Sequence, residues 1–238
     1  MKKISKNVIF IIVIVILSLF ILLLIANLIV KDVKQYDYHR EKCASFEVQN
    51  ANLSKGQIVF IGDSITDLCK LDDYYKGTEL ALYNRGINGD TTEGLKKRLQ
   101  VSVFDIEPAI IVMMIGTNDV SWGRSVEDIS KTYREIVEEI YNKLPNVKLY
   151  CMSVIPQNKD MEEYAPVSVD NNIKKINDIN SEIQNLSLEF GFAYLDLYPL
   201  LLDENGYLDE KYSDDGLHLN HNGFVVWSNL VKEEWSKE

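Results

Sequence analysis

Cysteine, histidine and positive charge are all scarce in this chain, and each shortage closes off some chemistry. Three cysteines in 238 residues, Cys43, Cys69 and Cys151, form no recognisable disulfide framework. Cys69 and Cys151 stand among apolar neighbours and read as small buried side chains, with a single disulfide left open. The three histidines are His39, His218 and His221. His218 and His221, even with Asp214 and Asp215, make too sparse a group to predict a metal site. Neither a Walker A pattern nor G-x-G-x-x-G is present, which argues against nucleotide binding. Low-complexity segments and internal repeats are absent too.

The charge deficit has a direction. Net charge is −11, and residues 1–30 hold three lysines and no acid, so the remainder carries 22 basic against 36 acidic residues, net −14. Such a body is repelled by nucleic acid and by anionic lipid headgroups, so neither DNA nor RNA is expected as a partner.

One long apolar run stands out. Val8 to Val30 is uncharged over 23 residues. At about 1.5 Å per residue it reaches about 35 Å as a helix, enough to cross a hydrocarbon core of about 30 Å. Lys2, Lys3 and Lys6 precede it, which favours a cytoplasmic N-terminus and an exported body, although Lys31, Lys34, Arg40 and Lys42 follow. A cleaved signal peptide has a shorter apolar core and a small-x-small cleavage site. This run is longer, and Ala26 is its only alanine, so an uncleaved anchor is expected. The chain then divides into an anchor over 1–30, a polar and partly helical spacer over 31–55 and one domain over 56–238. The location expected is a cell membrane, crossed once, with the domain outside the cytoplasm.

Within the domain, apolar runs at 57–61, 81–84, 109–115, 147–154 and 192–197 alternate with helical patterns at 125–144, 171–190 and 221–236. Several runs are continuous rather than alternating, as in strands covered on both faces. The fold class expected is α/β, a parallel sheet of about five strands between two helical layers. Ligands in such folds bind beyond the carboxyl ends of the strands. Three segments containing Gly, Asn or Ser fall there: Gly62–Ser64, Asn84–Gly89 and Gly116–Asp119.

Ser64, just past the first run, needs a base to act as a nucleophile. His218 supplies one. Asp215, three residues earlier across Gly216, lies at the spacing that lets a carboxylate fix the imidazole tautomer. His221 is the weaker base, since the residue three places before it is His218. An oxyanion formed at a carbonyl needs preorganised donors. The Ser64 and Gly89 backbone N–H groups and the Asn118 side-chain amide are the candidates, with Gly86 a runner-up. Asp63, Asp90 and Asp119 read as loop hydrogen-bonders and Asp196 as structural. Trp122 reads equally as substrate wall or as packing. Residue 66 is Thr, so the turn is not the G-x-S-x-G elbow of α/β-hydrolases.

GDSIT at 62–66, NRGINGDTT at 84–92, GTND at 116–119 and DGLH at 215–218 resemble, in order and approximate spacing, the four blocks of the SGNH hydrolases, or GDSL esterase/lipase family. The resemblance covers about residues 57–236, and GDSI where many members have GDSL is a minor departure. It implies a flavodoxin-like three-layer fold and no metal or cofactor. It also implies a Ser64–His218–Asp215 triad with Ser64, Gly89 and Asn118 as oxyanion donors. The activity expected is ester hydrolysis on a small-molecule, lipid or glycan ester. The alternatives are O-acyl transfer through the same acyl-enzyme, or a non-catalytic glycan-binding module. Pocket walls are expected from 120–125, 156–170 and 203–214, with Tyr164, Tyr207 and Tyr212 among them.

Overall fold

The structure, a computed structural model, describes residues 6–161 and 169–237. Tyr164 and the rest of 162–168, within the second expected wall segment, lie outside the described residues. The chain separates into two compact units, Met1–Lys42 and Cys43–Glu238.

The first unit is the main part of helix α1, Lys6–Asn50. Its large apolar side chains from Phe10 to Val30 are all exposed, between 46% and 69%. Among the described residues this stretch is apolar on every side of the helix. It is the one helix among the described residues long and apolar enough to cross a membrane. The helix continues through the polar segment 31–50, where side chains at helical spacing meet, as in the 3.2 Å pair between Arg40 and Asp37.

The second unit is built on five parallel strands: β1 (Ile58–Gly62), β2 (Leu82–Gly86), β3 (Ile110–Met114), β4 (Lys148–Met152) and β5 (Ala193–Leu195). Their order is β2-β1-β3-β4-β5. The chain leaves β1 toward one edge and returns as β3 on its other side. The carboxyl ends of β1 and β3 therefore flank a topological switch point, the crevice where such sheets hold ligands.

The connecting helices are α2 (Ser64–Leu68), α3 (Leu71–Tyr74), α4 (Thr92–Lys97), α5 (Leu99–Ser102), α6 (Thr117–Ser121), α7 (Val126–Lys143), α8 (Val169–Phe190) and α9 (His221–Trp235). The side-chain alternation of the strands divides the core in two. Val59, Ile61, Ile111, Met113 and Leu149 pack with Leu95, Leu99, Ile136, Ile140 and Ile183 of α4, α5, α7 and α8. Ile58, Phe60, Val112, Met114 and Tyr150 face the other way, onto Tyr75, Phe224, Trp227 and Val231 beside and within α9. Strands buried on both faces explain why their sequences read as unbroken apolar runs.

The helices α7, α8 and α9 fall where periodicity puts them. Ser125 caps α7, its hydroxyl accepting from Asp128 N. The shorter helices α2 to α6 carry no sequence period, and two of them, α2 and α6, hold residues of the Gly62–Ser64 and Gly116–Asp119 segments. The last turn of α1 belongs to this unit. There the ring centre of Phe46, 3% exposed, lies 4.5 Å from the Arg85 guanidinium carbon, and Arg85 Nη1 and Nη2 donate to Gln49 Oε1 and Asn50 Oδ1. Arg85 is on the edge strand β2, so this turn covers part of an otherwise open sheet edge.

Candidate active site

Ser64 is the first residue of α2, two positions past Gly62, which ends β1. The turn is sharp because Asp63 caps the helix. Its Oδ1 accepts from Ile65 N at 3.0 Å. The backbone N–H of a first helical residue has no acceptor within its own helix, so that of Ser64 is free to serve as a donor. Asp63 itself is fully buried. Burial, with Asp90 and Asp119 nearby, pushes its carboxyl up from 3.8 to about 7 against the lowering bond from Ile65 N. It shapes the turn, as the sequence suggested.

The DGLH segment turns tightly at Gly216, whose φ is +78°. Only glycine adopts this left-handed backbone without penalty. A side chain there would also meet Asn158 O at 2.8 Å. The turn carries Asp215 and His218 onto one face. Asp215 Oδ1 accepts from His218 N and Leu217 N at 2.7 and 2.9 Å, and Oδ2 lies 2.6 Å from His218 Nδ1. An ionised carboxylate only accepts, so Nδ1 carries the proton and Nε2 presents a lone pair. That Nε2 lies 2.9 Å from Ser64 Oγ, across 154 residues of sequence. Partial burial pushes the Asp215 carboxyl up, but the bonds from the His218 ring and from the His218 and Leu217 amides outweigh it. The group is held below its ordinary value.

His221 is exposed on the first turn of α9, with its Nδ1 3.2 Å from the Tyr74 hydroxyl rather than beside a carboxylate. His39 lies in α1.

Asn118 is the second residue of α6. Its Nδ2 donates to Asp90 O at 2.8 Å. A side-chain amide has two N–H bonds, so one fixes the group and one is left for a ligand. Gly89 takes a φ of +73°, the left-handed backbone a glycine permits, in a turn closed by Asp90 N donating to Ile87 O. Gly86 serves differently. A side chain there would lie 2.2 Å from Asp67 N, so Gly86 lets β2 and α2 approach each other. Asp119 accepts from Thr92 N and Oγ1 and from Arg124 Nη1. It ties α6 to α4, as a loop hydrogen-bonder would. Asp196 is exposed and accepts only a long bond from Tyr194. Trp122 is 62% exposed, so it does not pack in the core.

Sequence reasoning missed the residues that hold these segments together. Asn84 donates to Thr66 O and Cys69 O and so caps the C-terminal end of α2. Asp67 Oδ2 accepts from Asn88 N, next to Gly89. Arg98, buried in the turn after α4, reaches several of these loops at once. The first two lie within or beside the quoted blocks. Arg98 stands in no motif.

Residues 60–225 match the profile of the GDSL-like Lipase/Acylhydrolase family. A curated relative, N-acylneuraminate cytidylyltransferase of Escherichia coli O18:K1:H7 (strain RS218 / NMEC), is 29% identical over 195 residues, 79% of this chain. The chain spans only 42% of that relative's length. Among solved structures, a Streptococcus pneumonia protein named for platelet activating factor superposes with a TM-score of 0.79 at 25% identity, covering 86% of this chain and 96% of that one. A GDSL-like lipase from Bacteroides thetaiotaomicron VPI-5482 gives 0.72 at 23% identity, covering 82% and 97%. The fold, the four sequence blocks and a profile match over most of the chain agree: this chain belongs to the GDSL-like lipase/acylhydrolase family of the SGNH hydrolases.

Proposed function

We propose that the chain is a membrane-anchored serine esterase in which Ser64, His218 and Asp215 act as a triad. One observation carries the reading: the unbroken run of hydrogen bonds from Asp215 through His218 to Ser64, at 2.6 and 2.9 Å. As Ser64 Oγ attacks the ester carbonyl, its proton passes to His218 Nε2. Asp215 stabilises the imidazolium through Nδ1–H and holds the ring in place. The carbonyl oxygen becomes an oxyanion within reach of the Ser64 and Gly89 N–H groups and the second N–H of Asn118. Collapse expels the alcohol, which takes the proton from Nε2. Water then repeats the sequence on the acyl-enzyme and frees the acid.

The anchor is α1. The lysines before its apolar stretch favour a cytoplasmic N-terminus, which puts the catalytic unit outside and directs it to esters of that compartment, glycan or lipid. A chain-length series of p-nitrophenyl esters, from acetyl upward, tests the reading on the detergent-solubilised chain. Turnover by the wild type with none by Ser64→Ala is expected, and the preferred acyl length separates carbohydrate deacetylation from lipid cleavage. Equal turnover by the two proteins would remove Ser64 from the mechanism.

A further inference from the structure

We propose that Arg98 is a positioning residue that locks the oxyanion donors to the nucleophile strand. The inference rests on the reading of Ser64, Gly89 and Asn118 just given, and adds a group outside the four blocks.

Arg98 is 3% exposed, and its guanidinium makes four bonds in the interior. Nε donates to Asp90 Oδ2 at 2.6 Å. Nη1 donates to Arg85 O and to Ser102 Oγ at 2.7 and 2.8 Å, and Nη2 to Gly62 O at 2.9 Å. Three of these acceptors belong to the site's own segments. Gly62 ends β1 two residues before Ser64. Arg85 lies at the end of β2, where the chain turns toward Gly89. Asp90 follows Gly89 directly, and its backbone carbonyl is the acceptor that orients Asn118. One buried cation thus fixes the approach to the nucleophile, the loop of one oxyanion donor and, through one further bond, the side chain of the other.

The surroundings are shaped for this network. The Asp90 and Arg98 side chains are each 2% exposed. Asp90 Oδ1, the oxygen not bonded to Arg98, accepts from Thr91 N at 3.0 Å. Gly94 has no side chain where one would lie 1.8 Å from that oxygen. A buried ion pair adds little net stability over well-packed apolar groups. What four directional bonds from a planar fork supply is position, and a lysine ammonium cannot reproduce that fork. Displacing a reacting group by about 1 Å costs about 10²-fold in rate.

The test uses the full chain in detergent with p-nitrophenyl acetate as substrate and an aryl trifluoromethyl ketone as a tetrahedral analogue. Arg98→Lys is expected to lower kcat about 10- to 100-fold with KM within about twofold, because the donors act on charge that develops only in the transition state. Analogue affinity should fall by the same factor as kcat/KM. Millimolar guanidinium added to Arg98→Ala should restore part of kcat. If Arg98→Lys does not fold, Asp90→Asn carries the same expectation for kcat and for the analogue.

Wild-type kcat and analogue affinity in the folded variants would overturn the inference. So would a loss that tracks the unfolded fraction and vanishes on cooling. Ser64→Ala, measured alongside, separates the two proposals. If it is inactive while Arg98→Lys is unaffected, only the role of Arg98 fails. If it stays active, the reading of the site fails.

Discussion

Replacing Asp63 by Asn should make the protein more stable, and increasingly so as pH rises. The Asp63 carboxyl is completely buried, and its Oδ2 has no hydrogen-bond partner within ordinary distance. Burial lifts it from 3.8 to about 7, so the folded protein holds a proton there that the unfolded chain has released. A raised folded value means that the group's contribution is fully present below pH 3.8 and is lost as pH climbs through about 7. At about 1.4 kcal/mol per pH unit, the full loss is about 4 kcal/mol, of which about 3 falls between pH 5 and 8. Asn keeps an oxygen to cap Ile65 N and never ionises. Other titrating groups cancel in the comparison. Guanidinium unfolding of the detergent-solubilised chain, followed by tryptophan fluorescence at pH 5 and pH 8, gives the difference directly. The stability gap between Asp63→Asn and wild type should widen by about 3 kcal/mol from the lower to the higher pH. A gap that is the same at both would mean that the carboxyl is ionised throughout and that its burial has been misjudged.

Asn118→Ala should cost about 10²–10³ in kcat on p-nitrophenyl acetate with little change in KM, as expected for loss of one oxyanion donor; a raised KM with kcat unchanged would point to a binding role instead. Asp215→Asn should leave the fold intact but lower kcat by about 10³–10⁴, because an amide can donate to Nδ1 and favour the wrong imidazole tautomer. A chain beginning at residue 51 should melt below one beginning at residue 43, since it lacks Phe46, Gln49 and Asn50, all of which contact Arg85. The loss expected is about 2–3 kcal/mol, mainly the burial of Phe46 and its contact with the guanidinium. Equal melting temperatures would show that this helical turn is dispensable.

Much of this architecture could be read in the sequence because strands buried on both faces leave continuous apolar runs and long amphipathic helices leave a period. The runs at 57–61 and 109–115 became β1 and β3, and the pattern at 125–144 became α7. Asp215 and His218 were legible because a local turn needs only a glycine and a three-residue spacing. Two kinds of feature were not. Helices of four to six residues, such as α2 and α6, are too short to show a period, so Ser64 and Asn118 read as turn residues when they occupy helix starts. The helical path of 31–50 was legible only in part, since a polar segment without a clear period fits coil as well as helix. Networks formed only in three dimensions leave no local signal either. Nothing around Arg98 in the sequence shows that Gly62, Arg85 and Asp90 will converge on it.

The most direct measurement is the site of covalent labelling by a fluorophosphonate. Treat the full chain with the reagent, digest it, and locate the adduct by mass spectrometry. A single adduct on Ser64, abolished in His218→Ala, is the expected result. An unlabelled protein, or an adduct on another serine while Ser64 stays free, would contradict the claim that this hydroxyl is the nucleophile.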